Sequence, residues 1–330
     1  MILSPDSQAI LLLCSHLGIK GEERKPLTLK DWNPLAQKIW KSPLKSPGAL
    51  LGLGALDIKK DLDCTDEESE RIAQLLEWGG GLAVELERLE SLGIGVITRA
   101  DENYPSRFRQ RLKEGAPTVL FYAGEKELLG QPGIAVVGSR ALDQTGVTCA
   151  ELVGNACAFS GKVLYSGGAK GVDSISTKTA LENNGYAVSI LADSLERSIR
   201  LPDLRKSLIS GSLCLVTPYA PDAGFSVGTA MGRNRMIYTL SDYAIVVSSD
   251  YEKGGTWAGA SETLKAAWVP VFILKYETMR EGNQHLLEKG GLPLPFPLPV
   301  DPRKLYDWLS ANSLEHAGIK DISQQLKLEL

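Results

Sequence analysis

From Gly133 onward the chain repeats one pattern: a short run of β-branched and other apolar residues, a glycine or serine break, then a stretch of helical length. The runs are Gly133–Gly138, Lys162–Ser166, Tyr186–Ala192, Ser212–Thr217, Tyr243–Ser248 and Pro270–Leu274. Helices are expected between them over Gln144–Phe159, Val172–Asn183, Asp203–Ser210, Thr229–Leu240 and Thr256–Trp268. Strands that are apolar on both faces and alternate with helices imply a mostly parallel sheet covered on both sides. The expectation is a doubly wound α/β domain with a mostly parallel sheet. Right-handed crossovers carry the carboxyl ends of its strands to one edge, where such sheets bind ligands.

Residues 1–95 differ, with helical periodicity, no strand-like alternation and Gly or Pro breaks at Pro43, Pro47, Gly52, Gly54 and Gly79–Gly81. They are expected to form a small helical domain of the SAM or helix-hairpin kind ahead of a core over 96–300. At the join, Ile94–Ile97 and Val119–Tyr122 are short strand candidates flanking the polar Asp101–Arg111. The Pro-rich Pro293–Pro302 is expected to end the sheet, leaving a tail over 301–330 with one amphipathic helix, Arg303–Ala311.

Length and composition narrow the function classes. A chain of 330 residues suggests two domains at roughly 150 residues each. Apolar runs stay well short of the roughly 18 residues a membrane span needs. The first residues lack the basic region and small-residue cleavage site of a secretory signal, so a cytoplasmic location is expected. Five cysteines without CxxC pairing and three dispersed histidines give no disulfide framework and no metal site. The net charge of -4 argues against a protein that coats nucleic acid through overall basicity. Charge is nevertheless uneven, basic over Arg197–Lys206 and acidic over Asp61–Arg71.

Three glycine-rich breaks fall after strands, and all three are expected on the same sheet edge. Gly138-Ser139-Arg140 offers close backbone approach, a hydroxyl and a guanidinium fork suited to phosphate oxygens, although Gly-Ser is also an ordinary turn. Ser166-Gly167-Gly168-Ala169-Lys170-Gly171-Val172-Asp173 opens a helix with a lysine that opposes the helix dipole, a placement an anion would favour. Gly254-Gly255-Thr256 opens the helix carrying Glu262, and reads equally as a turn with Thr256 as N-cap. Arg233-Asn234-Arg235 puts two cations on different helix faces, so at least one faces the sheet edge. The pattern contains no Walker A loop, no complete dinucleotide fingerprint and no nucleophile–histidine arrangement.

Taken in order, Tyr104-Pro-Ser-Arg-Phe108, Pro117–Gly124, Ala135–Arg140, Ser166–Asp173, Ala180-Leu181, Arg233-Asn-Arg235 and Gly254-Gly-Thr256 resemble the DNA-processing protein A (DprA, or Smf) family, over about Tyr104–Leu274. The resemblance implies an extended Rossmann-like protein without catalytic residues or cofactor. Such a protein binds single-stranded DNA, forms a homodimer and passes the strand to the RecA recombinase in DNA uptake and recombination. It also implies that Gly138, Ser139, Arg140, Ser166, Gly167, Gly168, Lys170, Arg233, Asn234 and Arg235 hold strand phosphates, with Phe225, Gly254, Gly255 and Thr256 as additional contacts.

The chain departs from the family pattern at several places. Ser176-Thr177 replace an Ala-His pair, Leu201-Pro202 a Tyr-Pro, and Thr217-Pro218 a Ser-Glu. Ala230 stands where an aromatic is expected, with Phe225 as a shifted substitute, and the tail after Pro302 is too short for a winged helix. Two other readings are a nucleotide-processing or nucleotide-sensing enzyme similar to the LOG phosphoribohydrolases, which would need Glu262 as a positioned carboxylate, and an adaptor with a vestigial pocket.

Overall fold

The computed structural model describes residues 3–18 and 25–314. His316 and the end of the expected tail lie outside the described residues. The chain divides into two compact units. The first contains residues up to Gly124 with Asp193–Leu201 and Val216–Gly224; the second contains Glu125–Ala192, Pro202–Leu215 and the residues from Phe225 onward.

Among the described residues the first unit opens with the α-helices α1 (Pro5–Cys14), α2 (Leu29–Lys41), α3 (Ala55–Leu62), α4 (Asp66–Leu76) and α5 (Gly79–Ser91). Local chemistry sets their starts. The Ser4 hydroxyl accepts the Ser7 N–H ahead of α1. Thr65 and Glu68 cap α4 reciprocally, each side chain accepting the other's backbone N–H. Strand β1 (Ile94–Thr98) then pairs antiparallel with β2 (Val119–Gly124), in register from Ile94↔Ala123 to Thr98↔Val119. Between them the polar stretch contains a short helix, α6 (Ser106–Leu112), which buries Phe108 and Leu112.

The second unit begins with β3 (Gly133–Val137), α7 (Gln144–Phe159), β4 (Val163–Ser166), α8 (Val172–Glu182) and β5 (Tyr186–Ile190). After the single turn α9 (Leu195–Ser198), which counts with the first unit, come α10 (Pro202–Ile209), β6 (Leu213–Thr217, its last two residues also in the first unit), α11 (Val227–Leu240), β7 (Tyr243–Val246) and α12 (Gly254–Ala266). Among the described residues the unit continues with β8 (Val271–Lys275), α13 (Glu281–Glu288), β9 (Leu292–Pro295) and a helical segment over 305–314. Its strands run in the order β6-β5-β4-β3-β7-β8-β9. The pairs β3/β4, β3/β7, β4/β5, β7/β8 and β8/β9 are parallel. All five residues of β3 and of β6, and all four of β4, are buried, as expected for strands covered on both faces. This is the doubly wound α/β architecture the strand pattern implies.

Strand order reverses at β3, with β4 on one side and β7 on the other. At such a switch point the two chain directions diverge and leave a crevice beyond the strand ends.

Two elements depart from the expectation. The sheet does not end at Pro293, because Leu292-Pro-Leu-Pro295 pairs with β8 as an edge strand, its prolines exposed and its leucines buried. An edge strand tolerates proline because one side of its backbone needs no ladder partner. Helix α13 was not expected, since Gly282 and Asn283 weaken its helical pattern; both are buried. The segment 305–314 anchors through Leu305 and Leu309, through Tyr306 edge-on to Tyr243, and through Trp308 against Phe272. Phe272 is fully buried and also meets Tyr243 edge-on. Phe272→Ala is expected to destabilise the chain by about 3–5 kcal/mol, read as a lowered urea midpoint at unchanged slope.

Candidate functional site

The loops leaving β3 and β7, the start of α8, and α11 enclose a cleft of about 710 Å³ at the switch point, entirely within the second unit. That volume is in the range of small-molecule pockets, roughly 300–1,000 Å³. Gly138, Ser139 and Arg140 form one wall; Lys253, Gly254, Gly255, Thr256 and Trp257 form the opposite one. Helix α11 supplies Met231, Arg233, Asn234, Ile237 and Tyr238, and Phe225 stands at the rim.

The first wall is held by close packing. Ser139 N–H donates to Ser248 O at 2.9 Å, and a Cβ on Gly138 would overlap the Val172 side chain, so only glycine lets β3 approach α8 this closely. Gly171, at φ +86°, packs its Cα against Ser139 O and the Arg140 backbone. That contact brings the loop carrying Lys170 beside Arg140, and both cationic side chains are exposed.

The floor is built around Asp173. Its Oδ2 accepts the Gly167 N–H at 3.1 Å and the Ala169 N–H at 3.4 Å. The buried Arg233 guanidinium lies against the same Gly167 Cα, where a Cβ would overlap it. Burial pushes the Asp173 carboxyl up to about 6, against the downward pull of Arg233 and of the two amides. Tyr238 is buried beside them, its hydroxyl without a hydrogen-bond partner. Its pKa is raised by burial first and by Asp173 second.

The second wall depends on α13. Asn283 Oδ1 accepts the Ser249 N–H at 2.8 Å, and its amide donates to Val247 O at 3.1 Å and Leu274 O at 3.0 Å, tying together the ends of β7 and β8. Arg280 donates to Ser139 Oγ at 3.4 Å, to Ala141 O at 2.6 Å and to the Asp250 carboxylate, bridging the two walls. Helix α12 opens into the cleft from Lys253 with no side-chain cap on its first N–H groups, a configuration that favours an anion.

The structure gathers Gly138, Ser139, Arg140, Arg233, Asn234, Phe225, Gly254, Gly255 and Thr256 around one cleft. Asn234 donates to Gly255 O at 3.0 Å, so its amide holds α12 in place. Ser166 is buried and donates to Val136 O at 2.9 Å, and the Gly167 N–H is taken by Asp173. Gly168 and Lys170 are exposed beside this loop, whereas Arg235 is half-buried on another face of α11 and does not line the cleft. Glu262 is exposed on α12 and is not among the lining residues. Sequence reasoning missed Asp173, Tyr238, Arg280 and Asn283 as site residues; only Asp173 carried a signal, as the end of the glycine-rich motif. Among the described residues no cluster of His, Cys, Asp or Glu could hold a metal ion, and no helix is long and apolar enough to cross a membrane.

A glycine-walled cleft at the switch point of a doubly wound sheet defines a protein of the Rossmann-like class. The profile of the DNA recombination-mediator protein A family matches residues 95–294, and the chain belongs to that family. It is 30% identical over 181 residues to the DNA processing protein DprA of Streptococcus pneumoniae, a match spanning 53% of this chain and 62% of that protein. In fold, it is similar to the crystal structure of the pneumococcal DprA, with TM-score 0.61 and 22% identity over 81% of this chain and 94% of that one. It is also similar to DNA processing protein A from Helicobacter pylori, a protein that binds single-stranded DNA, with TM-score 0.55 and 25% identity over 66% of this chain and 96% of that one.

Replacing Asn283 with Ala strands the buried Ser249 N–H and two carbonyls. The expected cost is about 2–4 kcal/mol, measured by urea unfolding.

Proposed function

We propose that this protein binds single-stranded DNA in the switch-point cleft, without catalysing a reaction on it, and acts in recombination or DNA processing. The observation that carries this reading is that Arg140, set beside the Lys170 loop by the Gly171 contact, lines the same cleft as the uncapped start of α12. Arg140, Lys170 and Lys253 are exposed cations for successive phosphates, while Trp257, Met231 and Phe225 offer apolar surface to bases. Three cations and three acids line the cleft; with Asp250 paired to Arg280 from outside the lining and Arg233 set against Asp173, Arg140 and Lys253 remain against Glu252, a small cationic excess to which the neighbouring Lys170 adds.

The family supports this role, and the Helicobacter relative binds single-stranded DNA. Gly138, Ser139 and the Gly254–Thr256 turn serve as backbone donors and close-approach positions in this reading, with Gly168 beside Lys170. Residues 96–300 form the nucleic-acid-binding core. Transfer of the strand to RecA and homodimer formation extend the proposal from the family resemblance, as does a cytoplasmic location.

Each phosphate contact on a single strand adds about 0.7 to the slope of log affinity against log salt. Arg140→Ala and Lys170→Ala are each expected to lower the slope by about 0.7 and to weaken binding to all sequences alike, measured by fluorescence anisotropy across a salt series. Unchanged affinity and slope in the double variant would place any bound DNA elsewhere.

A further inference from the structure

Two donors that a glycine-rich loop would offer to a phosphate, the Gly167 and Ala169 N–H groups, are already taken by an internal carboxylate. Oδ2 of Asp173 accepts both, and the Arg233 guanidinium lies beside that oxygen against the Gly167 Cα. The side chain therefore stands where an oxyanion would, with amides and a guanidinium around it. It also lines the same cleft as Arg140 and the start of α12.

We propose that Asp173 is an internal competitor for the anion this cleft binds, so that anion binding is coupled to the uptake of one proton by its carboxylate. This inference rests on the reading of the cleft as a strand-phosphate site.

The groups facing the carboxylate bear this out physically. Helix α11 presents Arg233 and the Tyr238 phenol, and β4 and its loop present the two amides and the Ser166 hydroxyl, which lies close enough to pull the carboxyl down while it donates to Val136 O. Two negative charges brought together in a poorly solvated site cannot both remain ionised at low cost. Burial has already raised the carboxyl to about 6, so a second anion raises it further and a proton enters from solvent. Protonation removes one negative charge from the cleft and leaves the Arg233 charge available to the ligand. The sign follows: between pH 7.5 and pH 5.5 the protonated fraction grows, and affinity rises as pH falls.

The test measures binding of oligothymidine, whose bases do not titrate in this range, at constant ionic strength from pH 7.5 to 5.5. Inorganic sulfate, of constant charge, serves as a second probe by isothermal calorimetry in two buffers of different ionisation enthalpy. The wild type is expected to bind about tenfold tighter at pH 5.5 than at pH 7.5, with net proton uptake. Asp173→Asn, which keeps an oxygen for the loop amides, is expected to bind tightly at both pH values, varying less than about twofold. Circular dichroism checks its fold, and if it fails to fold the wild-type profile and proton count decide alone. Oligothymidine binding that is flat or weaker at low pH, or a profile shared with Asp173→Asn, overturns the inference while leaving the DNA-binding reading intact. Sulfate binding with the expected profile but no DNA binding overturns that reading and keeps the competitor. Binding of neither probe overturns both.

Discussion

A single buried carboxylate organises the edge of the sheet where the chain reverses direction. Asp173 lies out of water at the start of α8, and a charge in that position persists only when paired and hydrogen-bonded. Its partners are consequently constrained. The loop after β4 must turn its Gly167 and Ala169 amides inward, and Gly167 must lack a side chain so that Arg233 can lie against its backbone. Arg233 in turn orients the middle of α11 toward the cleft, so Arg235 two residues later faces elsewhere. The charge most central to the cleft is thereby largely neutralised, and Arg140, Lys170 and Lys253 are the exposed cations around it.

The wall opposite depends on α13 in a comparable way. Asn283 uses both ends of its amide to close off backbone groups at the ends of β7 and β8, and Arg280 links that loop to the one leaving β3. Two loops far apart in the chain are thus held at a fixed separation, which positions the start of α12 across from Arg140. A cleft held by buried side chains rather than by the loops alone is preorganised, and binding then orders little protein.

Much of this was legible in the sequence because the central strands are uninterrupted β-branched runs, and because glycine breaks after parallel strands converge by topology on one edge. Gly138, Arg140 and Gly255 could be placed for that reason. Strand β9 was not legible, since alternating leucine and proline reads as a loop until an edge position removes the need for paired N–H groups. Helix α13 was hidden by Gly282 and Asn283, which are there for close packing against Ser249 and for backbone pairing. Arg280 finds its Ser139 partner 141 positions away, a separation no local pattern reveals. Asp173 was visible as part of a motif, but its burial, and hence its role, depends on α11 folding over it.

The central claim is that a single strand lies in the switch-point cleft. Amide hydrogen exchange with and without a saturating oligothymidine tests it most directly, because every segment of the chain is read at once. The account predicts slowed exchange concentrated in 138–141, 169–172, 225–234 and 253–257. Protection confined to residues of the first unit, such as the arginine-rich 99–113, with none in those four segments, would contradict it.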